Sequence, residues 1–117
     1  MQPAPVKPTV SIDILEKLDI RVGTIVSVDD VPGSNKLMRL VVDFGDQSRT
    51  ILTGIKRERQ DPRKIVGKQA LFVVNLAARE MAGEVSEGML FDIGYSDGVI
   101  PVLAVPETPV PNGARAG

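Results

Sequence analysis

Strict alternation of apolar and polar positions appears first at Ile20–Val28. The run IRVGTIVSV puts Ile20, Val22, Thr24, Val26 and Val28 on one face and Arg21, Gly23, Ile25 and Ser27 on the other. A period of two in β-branched residues predicts a β-strand. Gly23 in its middle predicts a bend or bulge, as at a barrel corner. VPGSN (31–35) is turn by composition. LMRLVVDFG (37–45) and SRTILTGI (48–55) predict a second and a third strand, joined closely enough to form a hairpin. QALFVVNL (69–76) predicts a fourth strand and the MLFDIG segment (89–94) a fifth. VIPVLAV (99–105) adds at most an edge strand, since Pro101 has no N–H to donate. Phe44, Phe72 and Phe91 all fall in these apolar patterns and are expected in the core.

Two segments carry a helical period instead. SIDILEKL opens with Ser11 or Asp13 as a cap and sets Ile12, Leu15 and Leu18 in a stripe. Fewer than about ten residues make a marginal helix, so this one must pack on something. In KRERQDPRKIVGK, Pro62 suits a first helical turn and Gly67 an end. Residues 1–10, with Pro3, Pro5 and Pro8, read as a flexible tail, and 11–117 as one domain. Five short strands, a short N-terminal helix and a small helix between strands three and four describe an all-β chain of the five-stranded OB-fold barrel type, which commonly binds oligonucleotides.

Composition narrows the chemistry. There is no His and no Cys in the 117 residues. That removes a Ser-His-Asp triad, a thiolate nucleophile and an ordinary zinc site. The expectation is a protein that is not an enzyme, with no cofactor and no metal. Net charge is only −1, but it is unevenly spread. From Lys36 to Arg79 there are ten basic and four acidic residues, a local +6; the remainder has four basic and eleven acidic, a −7. A basic middle between acidic flanks predicts one electropositive face. No apolar run approaches the ~18 residues of a membrane span, and the start lacks the features of a signal peptide. The expected place is the cytoplasm, away from membranes.

Three stretches then fit together. LDIRVGTIVSVDDVPGSNKL (18–37), RTILTGI (49–55) and NLAAREMAGEVSEGML (75–90) resemble, in this order and spacing, the signatures of the tRNA-binding domain family. That family includes free-standing dimers, C-terminal domains of methionyl-tRNA synthetases, endothelial-monocyte-activating polypeptide and export-chaperone relatives. The resemblance spans about residues 11–115. It implies an OB-fold that binds folded tRNA by shape and backbone, free-standing or beside an aminoacyl-tRNA synthetase, and a homodimer. The same fold also serves export-type chaperones that bind unfolded peptides. Carried over by position, the implied RNA-contacting residues are Lys36, Thr53, Asn75, Arg79, Ser86 and Met89, with Arg49 beside them.

The residue chemistry suits that assignment. Arg79 offers a planar fork of donors to phosphate. Asn75 and Ser86 can bond bases or 2′-hydroxyls, and Met89 can pack on a base without demanding its identity. Each also has a plainer reading: Asn75 as a turn former, Met89 as core, Gly88 as a bulge residue and Lys36 as a solvated charge. Arg21 is expected to pair with Asp19 or Asp43. Glu84 and Glu87 place negative charge inside the last signature. With few aromatic residues and the Phe expected inside, selectivity would come from the shape of a folded RNA.

Overall fold

The structure, a computed structural model, describes residues 2–117. A short helix, α1 (Ile12–Glu16), leads into seven strands: β1 (Ile20–Asp30), β2 (Met38–Asp43), β3 (Ser48–Thr53), β4 (Gln69–Val73), β5 (Arg79–Met81), β6 (Glu84–Ser86) and β7 (Met89–Leu90). Five of them form one antiparallel sheet in the order β3-β2-β1-β4-β7. The long β1 pairs with β4 along its first half and with β2 along its second. The sheet therefore curls into an OB-like half-barrel around a single main core.

The bend lies elsewhere in β1 than the glycine suggested. Ile25 pairs with Val42 and Ser27 with Val41, so Val26 is the extra residue of a β-bulge. The bulge exchanges the two faces locally: Ile25 is 0% exposed and Val26 51%, the reverse of strict alternation. Gly23 answers a different demand. A Cβ there would lie 2.5 Å from Val42 Cγ1 and 2.8 Å from Phe44 Cε1. The Phe44 ring covers the bare glycine and meets Phe72 edge-on, centroids 5.6 Å apart. Around this pair sit Ile25, Met38, Leu40, Val42, Ile51 and Ala70, each 4% exposed or less.

Other expectations are corrected in detail. The small helix after β3 is a single 3-10 turn, Pro62–Ile65, started by Asp61, whose Oδ1 accepts from the Arg63 amide at 3.1 Å. Segment 99–105 forms no strand; it contributes one bridge, Ile93 to Val102. The expected fifth strand is only Met89–Leu90, and ahead of it stands a hairpin, β5–β6, that no periodicity in the sequence marks. Its two-residue turn holds Ala82 at φ 51° and Gly83 at φ 81°, the twist that tight hairpins favour.

The C-terminal segment closes against the start of β1. Gly113 N donates to Val22 O, Val22 N to Ala114 O and Ala116 N to Ile20 O, at 2.8–2.9 Å. By contrast, α1 finds no cover within the chain: Ile12, Ile14, Leu15 and Leu18 all remain exposed. Ile100, Val102 and Val105 are exposed too.

Candidate nucleic-acid interface

The hairpin β5–β6 leans on the free edge of β3 and closes the half-barrel with side chains rather than a continuous ladder. Ser86 Oγ accepts from Leu52 N at 2.9 Å and donates to Gly88 O at 3.0 Å. Glu87 Oε1 accepts from Thr50 N at 3.1 Å, and Glu87 N donates to Thr50 O at 2.8 Å. Arg39 on β2 holds Glu84 at 2.8 Å. Glu84 and Glu87 of the last signature thus have internal partners: Glu87 serves a strand-edge amide and Glu84 an arginine.

Between this hairpin, the β1–β2 loop and the segment after β7 lies a cleft of about 880 Å³. Lys36, Thr53, Arg79 and Met89 line it together, four of the seven residues singled out from the sequence. Lys36 reaches it with its alkyl chain lying over Gly54, where a Cβ would sit 3.0 Å from Lys36 Cε. Arg79 projects from the exposed start of β5. Leu37, Leu52, Met81 and Leu90 supply an apolar lining.

The other three residues go elsewhere. Ser86 is 3% exposed, and its hydroxyl is committed to the β3 edge, so it holds the hairpin from beneath the surface. Asn75 accepts from Asp19 N at 2.9 Å and donates to Lys17 O at 2.7 Å, fastening the α1–β1 junction to the end of β4. Arg49 Nη1 donates to the Val74 carbonyl at 2.6 Å and to the Glu87 carbonyl at 3.2 Å. Asn75 and Arg49 border a separate groove of about 200 Å³, with the Arg21–Asp19 pair, which meets in two 3.0 Å hydrogen bonds as expected.

The cleft also holds residues not singled out from the sequence, two aromatic rings and several acids among them. Phe91 is 43% exposed and Tyr95 67%, and both line the cleft. The expectation that all three Phe are core is therefore wrong for Phe91. A signal was present: alternation sets Met89 and Phe91 outward and Leu90 inward. Glu58 and Asp92 also line the cleft. Burial raises the Glu58 carboxyl above the ordinary carboxylate range, and Asp92 nearby adds to this against the pull of Arg59. Asp92 is likewise raised by burial.

That upward shift fixes a sign. Folding favours the neutral form of both groups, so the stability they lend is complete below their unfolded values and is lost as pH rises through the raised folded ones. At neutral pH the ionised pair weakens the fold. Glu58→Gln and Asp92→Asn are each expected to raise the melting temperature at pH 7, with no advantage below about pH 4. Melting curves at the two pH values check this; an equal or lower midpoint at pH 7 would contradict it.

The charges of the basic middle also divide. Lys56 and Arg63 share Asp30 at 2.9 and 3.3 Å, Arg59 contacts Glu58 at 3.4 Å, and Arg57 donates to the Asn35 carbonyl. Among the described residues, Lys36, Lys64, Lys68 and Arg79 are the members of that middle whose side chains make neither an ion pair nor a hydrogen bond within the chain. Two of these four border the cleft.

Comparison with known proteins bears directly on this arrangement. The family model described as "Putative tRNA binding domain" matches residues 20–115. The chain belongs to the tRNA-binding domain family. Among its relatives, the methionine–tRNA ligase of Bacteroides fragilis is 40% identical over 99 residues, which is 85% of this chain and 14% of that one. That of Nitrosomonas europaea is 38% identical over 112 residues, 96% and 16%. The chain thus spans about a seventh of the length of these relatives. Among solved structures, a MetRS related protein from Pyrococcus horikoshii superposes with a TM-score of 0.86 at 34% identity, covering 95% of this chain and all of that one. The chaperone CsaA from Bacillus anthracis gives 0.81 at 27% identity, covering 94% and all of it. In this tRNA-binding domain, Lys36, Thr53, Arg79 and Met89 are brought to one cleft. No helix among the described residues is long and apolar enough to cross a membrane.

Proposed function

We propose that this tRNA-binding domain binds folded tRNA in the cytoplasm without catalysing a reaction, and that the 880 Å³ cleft is its contact surface. The observation that carries the reading is that Lys36 and Arg79, which make no ion pair or side-chain hydrogen bond among the described residues, meet at a cleft with an apolar lining. Cations free of internal partners hold phosphates, and the apolar lining takes sugar and base surfaces. The relatives named as methionine–tRNA ligases favour action beside a synthetase, delivering tRNA rather than altering it.

Salt dependence tests it. Four unpaired cations, each contributing roughly 0.7–0.9 to the slope of log K against log salt, give a slope near −3. Folded tRNA should bind more tightly than an unstructured RNA of equal length, because the cleft and the basic face have a fixed shape. A flat salt response would reject the proposal. Tight binding of an unfolded protein, with both RNAs equal, would favour a chaperone-type reading; the apolar residues of the cleft and the likeness to CsaA support that second reading.

The working form is a homodimer. Ile12, Ile14 and Leu15 on α1, Leu18 just after it, and Ile100, Val102 and Val105 are all exposed apolar side chains, and exposed apolar patches mark association surfaces. A two-fold contact can cover both sets at once. Light scattering at micromolar concentration is expected to give twice 12.6 kDa; a monomer across that range would contradict it.

A further inference from the structure

The cleft contains more than phosphate chemistry requires. Glu58 and Asp92, together with the more exposed Asp97, line it alongside Lys36 and Arg79, and a carboxylate repels phosphate. Neither Glu58 nor Asp92 is fully occupied. Glu58 has one side-chain partner, the 3.4 Å contact from Arg59, and Asp92 has its own backbone amide. Ionised carboxylates only accept hydrogen bonds, so a ligand that suits them presents N–H groups. Beside them stand Phe91 and Tyr95, two exposed aromatic rings. Exposed aromatic rings beside acceptors are what an unstacked base of RNA uses: the ring face stacks while the base edge is read.

The acceptor type selects among the bases. Guanine carries two adjacent donors, N1–H and N2–H2, which match one carboxylate with two parallel hydrogen bonds. Adenine and cytosine set an acceptor nitrogen beside their amino group, and an ionised carboxylate repels it. Uracil offers one N–H between two carbonyl oxygens. We propose that the cleft takes an unpaired guanine of the bound RNA, stacked on Phe91 or Tyr95 and read through its N1–H and N2–H2 donors by Glu58 and Asp92, while Lys36 and Arg79 hold the adjoining phosphates. This rests on the RNA-binding reading and adds base selectivity to it.

The test uses the whole chain with the trinucleotides UGU, UAU and UIU, where inosine lacks only the N2 amino group. Dissociation constants come from NMR titration at pH 7, with tRNA binding measured in parallel. A good two-bond base contact discriminates by about tenfold or more, so UGU is expected to bind about tenfold more tightly than UAU, with UIU between them. The near-isosteric Glu58→Gln and Asp92→Asn should each bring the UGU-to-UAU ratio towards one while tRNA retains its salt slope. Tyr95→Ala should weaken all three trinucleotides together. Equal affinity for UGU and UAU in the parent chain, or a ratio that survives in both acid variants, overturns the proposal. If tRNA binds but the trinucleotides are not distinguished, base selectivity alone is lost. If no RNA binds, the RNA-binding reading falls with it.

Discussion

Replacing Gly88 by alanine is expected to lower stability by about 3 kcal/mol and the thermal midpoint by roughly 10–15 °C. Gly88 sits between the buried Ser86 anchor and β7 with φ at 154°, a conformation that side chains rarely adopt. A Cβ there would lie 2.9 Å from the Val73 carbonyl oxygen, which is backbone of β4 and cannot swing aside. Another would-be contact, Ile51 Cδ1 at 3.4 Å, belongs to the packed core. Backbone strain and collision therefore add. Gly33→Ala separates the two effects, because Gly33 has φ of 78° but nothing within 4 Å of its would-be Cβ; it should lose only about 1 kcal/mol. Equal losses at the two positions would show that collision with β4 is not what matters. The glycine of the last family signature thus has a use in packing that needs no ligand.

The second large effect concerns binding. The double variant Lys36→Ala, Arg79→Ala should weaken tRNA binding by about 3 kcal/mol, roughly a hundredfold, since each charged hydrogen bond to phosphate contributes about 1.5 kcal/mol or more. The salt slope should become shallower by nearly two units. Thermal stability should hardly change, because neither side chain has an internal partner. Ser86→Ala and Arg49→Ala should do the opposite. They leave the Leu52 amide or the Val74 carbonyl without its partner and lower the melting temperature, yet the folded fraction should bind tRNA nearly as before. Anisotropy titrations and melting curves on the same samples distinguish the two patterns. An unchanged affinity in the double variant would remove the cleft as the RNA surface.

The sequence made the barrel readable because apolar, β-branched runs bounded by turn residues are a local signal, and Asp61, Pro62 and Gly67 mark a turn by their own chemistry. It misplaced the bulge because Gly23 answers to Phe44 and Val42, and the extra residue Val26 to the register of Ile25 and Ser27 against Val42 and Val41, all far along the chain. It missed the β5–β6 hairpin because three-residue strands are too short for periodicity to register. The site divided in the same manner. Lys36, Thr53, Arg79 and Met89 share a cleft. Asn75, Ser86 and Arg49 share those signatures but bond backbone groups at strand ends. Position in a motif does not tell a side chain that meets a ligand from one that holds the loop which does. Glu58 and Asp92, 34 residues apart in sequence, carried no local mark of their meeting.

One property of the barrel bears on how such a domain travels between proteins. The backbone around Ile20–Val22 and that around Gly113–Ala116 are hydrogen-bonded neighbours. The two ends of the family-matched stretch, residues 20–115, thus lie side by side. The cleft need not be touched by a junction there, since none of the joined residues lines it. A connection made at that spot leaves the cleft open.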